Sequence, residues 1–140
     1  MAYKLVIEQK PTYLHACVTG QLSKENVVRY LDETLRECMA RRCFRVLIEE
    51  RLEGPRLGTF DVFQIASEGS TKARGILTAI AFVDVYDEGN LMKFAENVAV
   101  NRALNVAVFA TVADAEKWLL NEAAEGTEPH AAADATKPRP

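Results

Sequence analysis

The stretch Ile76 to Val83, ILTAIAFV, is the most uniformly apolar run in the chain. As a strand it has no polar face to offer water, so it must be covered on both sides. That demand points to a layered α/β domain, with interior strands between helices, and the rest of the chain supplies the parts.

A second apolar run lies upstream. In FRVLIEERLEGPRLGT, from Phe44 to Thr59, the residues Phe44, Val46, Leu47 and Ile48 read as a buried strand over Phe44 to Glu49. Gly54-Pro55 and Gly58-Thr59 then mark a loop and a helix start. Ligands of open α/β sheets gather beyond the carboxyl ends of the strands, so a site is expected near Glu49 to Asp61.

The remaining segments alternate in the same manner. Lys4 to Gln9 and Tyr13 to Thr19 alternate with period two around Lys10-Pro11-Thr12, which predicts a β-hairpin ending at Gly20. Ser23 is placed as an N-cap, with Leu22 and Val27 as a hydrophobic staple. The helix that follows carries a predicted apolar stripe of Val27, Val28, Leu31, Leu35, Cys38 and Met39. Thr59 is the expected cap of a second helix bearing Phe60, Phe63, Ile65 and Ala66, which should break down around Ser67 to Thr71. Leu91 to Arg102 predicts a third helix and Asn105 to Ala110 a short strand. Thr111 and Asp114 stand in capping-box relation before a last helix containing Ala115, Trp118 and Leu119. The predicted order is β-β-α-β-α-β-α-β-α, a mostly parallel mixed sheet with an N-terminal antiparallel hairpin and helices packed on it. Residues 1–122 read as one domain and 123–140 as a disordered polar tail.

Composition narrows the function. With 140 residues, 49% hydrophobic and 26% charged, the chain suits a single self-supporting domain. A net charge of -3 argues against nucleic acid as a partner. Cys17, Cys38 and Cys43 make an odd number, which together with the absence of a signal-peptide pattern leads to an expectation of free thiols and a cytoplasmic location. No stretch reaches membrane-spanning length, so no integral membrane partner is expected.

The element order, the segment FAENVAVNRALNVAVFATVADAEKWL from Phe94 to Leu119 and the hairpin TYLHACVTGQLSKENV resemble the SpoIIAA-like proteins, a branch of the STAS and CRAL-TRIO-like superfamily. Asn101-Arg102 and the Thr111, Ala115, Trp118, Leu119 helix are the most telling parts. The resemblance implies either of two modes of action. STAS domains of the anti-sigma-factor-antagonist type carry a phosphorylated serine between the central strand and its helix. Here Gly58-Thr59-Phe60-Asp61 stands at that place, without the Asp-Ser-Ser-Gly flank, and makes Thr59 the phospho-switch candidate. SEC14-type relatives imply an apolar pocket under the helices.

Each candidate residue has a plain structural reading beside the functional one. A threonine at a helix start is suited to a phosphate-stabilised switch and equally to simple capping. Glu49, Glu50, Asp61, Asp84 and Asp87 can gather at the carboxyl edge of the sheet as acid and base groups or as metal ligands, or can be no more than solvated strand ends. His15 and His130 give a histidine-based catalytic arrangement little material, and the glycines form no nucleotide loop. Phe60, Phe63, Tyr86, Met92 and Phe94 can line an apolar pocket or pack helices onto the sheet. The expectation is therefore a non-enzymatic binding or regulatory module, with no catalytic residue, metal or cofactor. Its surface comprises Glu49, Gly58, Thr59, Phe60, Asp61, Phe63, Tyr86, Met92 and Phe94, and acts through a protein partner. The alternative is a carrier or sensor of a small apolar, lipid-like ligand in a SEC14-like pocket. Self-association into a homodimer is a third possibility.

Overall fold

The computed structural model describes residues 2–87 and 91–126. The element order is β1 (Tyr3–Gln9), β2 (Leu14–Gln21), α1 (Lys24–Ala40), β3 (Arg45–Glu53), α2 (Thr59–Ala73), β4 (Ala79–Asp84), α3 (Leu91–Asn101), β5 (Val106–Phe109) and α4 (Val112–Gly126). This is the α/β order expected from the sequence. The five strands form one sheet in sequence order, β1 antiparallel to β2 and each later pair parallel.

Period-two alternation distributes the core between the two faces of the sheet. Leu14, Ala16, Val18, Val46, Ile48, Leu52 and Ile80 belong to one apolar cluster, with Tyr30 and Cys38 of α1 and Ala99 of α3. Tyr13, Leu47, Ala79, Ala81 and Val83 belong to the other, with Ala115 and Leu119 of α4. The first cluster is the side of α1, α2 and α3; the second is the side of α4 alone.

Local chemistry explains most element ends. Ser23 caps α1, its hydroxyl accepting from the Asn26 N–H at 3.1 Å. At the far end of α1, the Cys43 N–H donates to the Cys38 carbonyl at 2.9 Å and the Arg42 N–H to that of Met39 at 3.2 Å, with Arg42 left-handed at φ 53. That is the Schellman pattern, built without glycine. Gly20 is required where it stands: φ is 129 and a Cβ would lie 2.8 Å from the Tyr3 Cα, so only glycine lets β1 lie this close. The Asp114 N–H donates to the Thr111 hydroxyl at 3.1 Å, so the expected cap of α4 forms.

Several expectations are corrected. β3 does not stop at Glu49 but runs to Glu53, so Glu49 and Glu50 are ladder residues within the sheet and both are buried. The buried stripe of α1 is Val27, Tyr30, Thr34 and Cys38, whereas Met39 is 48% exposed. The cap position of α2 is Gly58, and Thr59 is the first helical residue. That helix also continues through Ser67–Thr71, where the Ser70 and Thr71 hydroxyls donate to carbonyls one turn back, on Ala66 and Ser67. β4 starts at Ala79, because Ile76 and Leu77 turn back to bond the Ala73 carbonyl. α4 extends to Gly126, past the expected boundary at 122, and the rest of the expected tail, with His130, lies outside the described residues.

Candidate functional site

Helix α2 leans on α1 and α3, and beneath it, against the sheet, lies a cavity of about 190 Å³. The reason is visible in the packing. β4 directs Ile80 and Phe82, and β5 directs Val106 and Val108, to this face, where α1 and α3 contact the sheet and α2 rests mainly on those two helices. Ile65 and Ala66 of α2 and Met92 and Ala95 of α3 line the opposite wall. The wall hydroxyls of Thr34 and Ser70 donate to carbonyls of their own helices at 2.8 and 2.5 Å, which spends their donors locally. The cavity reaches the surface beside Asp32 and Lys72, an ion pair at 3.1 Å whose side chains are 41% and 48% exposed.

The polar end of the cavity lies at the carboxyl ends of β3 and β4. Glu50 is 4% exposed, and its Oε1 accepts from the Tyr30 hydroxyl at 2.5 Å. In the parallel ladder Glu50 stands opposite Asp84, so both carboxyls project from the same face. Arg56, in the loop after β3, donates from Nη1 to the Asp84 carboxylate at 3.3 Å and from Nη2 to the Leu52 carbonyl at 2.8 Å. Asp84 also accepts from the Tyr86 N–H at 3.0 Å. One guanidinium thus serves two carboxyls and is already bonded to one of them.

The titration of Glu50 follows from this setting. Burial raises its pKa to about 7, the neighbouring Asp84 charge adds to that, and the Tyr30 hydroxyl and Arg56 oppose it. Burial also pushes Asp84 upward against its hydrogen bond to Tyr86 and the Arg56 charge. Burial and the Glu50 carboxyl drive the Tyr30 phenol well above its ordinary range, so it remains a donor. Neutral Glu50 is the form favoured below pH 7.

On the opposite face of the sheet the adjacent residue behaves differently. Glu49 accepts from Arg51 Nε at 2.5 Å and faces His15 Nε2 at 2.9 Å. Burial pushes its carboxyl up, but the Arg51 and His15 interactions outweigh it and hold it below the usual value. Cys17 stands opposite Glu49 in the β2–β3 register. Burial and then the Glu49 charge raise the pKa of its thiol, which favours the unreactive form. All three cysteines are free.

Of the surface expected from sequence, Met92 alone lines the cavity. Glu49 is on the other face. Gly58, Thr59 and Phe60 are exposed at the start of α2, Phe60 at 71%. Asp61 lies 3.8 Å from Lys24 Nζ. Phe63 lies under the Arg102 guanidinium at 5.3 Å and Tyr86 under that of Arg56 at 5.9 Å. Phe94 is half-buried outside the cavity wall. Among the suggested carboxylates, the structure brings Glu50, Asp84 and Asp87 to the cavity and leaves Glu49 and Asp61 away from it. Tyr30 and Arg56 were missed. Their signal was present: Tyr30 falls on the buried side of α1 one turn after Val27, and Arg56 follows a glycine-proline turn at a strand's carboxyl end.

Among the described residues no group of three or more histidine, cysteine, aspartate or glutamate side chains is arranged to hold a metal ion. Nor is any helix among them long and apolar enough to cross a membrane. In comparison with known proteins, the chain matches no family model and no curated sequence.

Proposed function

We propose that this protein is a binding module for a small, largely apolar ligand held between the sheet and the helices α1, α2 and α3. The observation that carries this reading is the cavity itself, about 190 Å³ with aliphatic and aromatic walls and its polar groups gathered at one end. Apolar walls with a few convergent polar groups are the usual make-up of ligand sites. The apolar part of the wall offers water no hydrogen-bond partners, so it favours an apolar occupant there. The resemblance to SpoIIAA-like and SEC14-type proteins agrees with this reading and belongs to the same proposal, as does action by binding without catalysis.

Calorimetric titration with 1-octanol tests it. Saturable binding that is lost in Ala66→Trp, where an indole occupies the cavity, is the expected result. Absence of binding to the natural sequence, or undiminished binding to a folded Ala66→Trp protein, refutes it.

A second reading, docking of a protein partner, is favoured by one observation: Phe60 is 71% exposed at the start of α2, close to Thr59. Under that reading Phe60→Asp releases a partner that co-purifies with the natural sequence, and retention of the partner counts against it.

A further inference from the structure

Resting on the ligand-binding reading, we propose that the ligand carries a cationic head, an amine, which sits at the Glu50 and Asp84 end of the cavity. The inventory of charge around the cavity is the first support. Among the described lining residues, Asp32, Glu50, Asp84, Asp87 and Glu96 are acidic, and Arg56 and Lys72 are basic. Lys72 is bonded to Asp32 at the rim. Arg56 is bonded to Asp84 and to the Leu52 carbonyl. Glu96 accepts from Lys93 at 2.5 Å and from the Val108 N–H at 2.7 Å. The deepest acid, Glu50, has the Tyr30 hydroxyl and the Asp84 carboxyl as its hydrogen-bond partners, and no cation bonded to it directly among the described residues.

The second support is the strand register. Two carboxyls directly opposite in a ladder repel when both are ionised, and a single guanidinium compensates one of them. With the cavity empty the second is compensated by a proton, and burial holds that proton on Glu50 up to about pH 7. An ammonium supplies the same positive charge with three donors, and its alkyl chain runs into the apolar part of the cavity. A carboxylate head at this end would add a third negative charge. An alcohol would leave the second carboxyl uncompensated once the proton is gone.

The groups facing Glu50 are Tyr30 from α1, Asp84 from β4 and Arg56 from the loop after β3. Its neighbour on β2 is Val18, which does not titrate. Ammonium binding therefore displaces the Glu50 proton to solvent, leaving Glu50 ionised against the ligand. Below pH 7 the fraction of protein competent for the cation falls with the ionised fraction of Glu50, and apparent affinity falls in proportion.

The test is a calorimetric panel of octylamine, 1-octanol and octanoate on the whole protein at pH 6 and pH 8, in buffers of differing ionisation enthalpy. At pH 8 octylamine is expected to bind roughly tenfold or more tightly than the other two, as suits a hydrogen bond to a charged group. At pH 6 its affinity is expected to fall roughly tenfold, with release of about 0.9 proton per ligand. Glu50→Gln, which keeps an acceptor for Tyr30, is expected to remove the amine preference and the proton release while octanol still binds. Equal binding of all three ligands, or an amine preference that survives in Glu50→Gln, overturns the proposal and leaves the apolar site standing. Failure of all three to bind removes the site together with it.

Discussion

Two adjacent glutamates of one strand, Glu49 and Glu50, expose similarly little surface and titrate in opposite directions. The pleat sends them to opposite faces of the sheet. On the α4 face Glu49 has a guanidinium and an imidazole within hydrogen-bond reach, and the charged form prevails. On the other face Glu50 meets a phenol, a second carboxyl and an apolar cavity, and the neutral form prevails. Similar surface exposure hides the difference: Glu50 lies deeper, where burial dominates its titration, while Glu49 sits nearer the surface with cationic partners that outweigh burial.

The packing above the two faces differs in the same sense. Under α4 the sheet presents Leu47, Ala79, Ala81 and Val83, with Tyr13 just before β2, to Ala115 and Leu119, all buried, and the helix packs directly on β4. Under α2 the facing residues are Ile80, Phe82 and Val108, and α2 rests on its neighbouring helices with a cavity beneath. The contrast lies between α4, which packs directly on the strands, and α2, which rests on its neighbouring helices.

The largest expected effect that tests this contrast is the pH dependence of stability. The folded-state pKa of Glu50 is raised from 4.5 to about 7, so between these values the folded protein holds a proton that the unfolded chain has released. Its contribution is complete below pH 4.5 and is lost as pH rises to 7, on the order of 3 kcal/mol in all. Glu50→Gln should therefore match the natural sequence near pH 4.5 and exceed it in denaturant stability by up to that amount at pH 8. A difference independent of pH breaks the contrast.

Packing gives the next effect. Ala81→Leu, under α4, should cost about 1–3 kcal/mol by overpacking. Ala66→Leu, over the cavity, has space to occupy and should change stability by less than about 1 kcal/mol. Thermal melts of the two variants decide it, and equal losses would mean that the faces are equally tight.

The smallest effect belongs to Glu49. Its folded pKa lies below 4.5, so its contribution is present above pH 4.5 and is lost as pH falls through the folded value. Because Arg51 is 46% exposed, solvent screens the pair. Glu49→Gln should cost only about 0.5–1 kcal/mol at pH 7 and less in acid, opposite in sign to Glu50→Gln.

Much of this arrangement was legible in the sequence. The strand beginning at Phe44 is legible, but its continuation to Glu53, which puts Glu49 and Glu50 on opposite faces, is not, because the charged run Glu49-Glu50-Arg51 reads as a strand end. The run ILTAIAFV already requires cover on both sides. Two further features were not legible. Spacing puts Tyr30 on the buried side of α1, but does not reveal its bond to Glu50, nor the bond to a backbone carbonyl that lets Thr34 stay inside. The height of α2 above the sheet depends on the neighbouring helices α1 and α3 together, a sum over distant segments that no local pattern records. The start of α2 is the expected site because it follows the carboxyl end of a strand, while the cavity lies one turn further along, at Val62, Ile65 and Ala66.

Carbon-13 NMR of the side-chain carboxyls, followed from pH 3 to pH 9, measures the contrast directly. The account predicts a Glu50 midpoint near pH 7 and a Glu49 midpoint below 4.5. Midpoints for both residues together near 4.5 would contradict it.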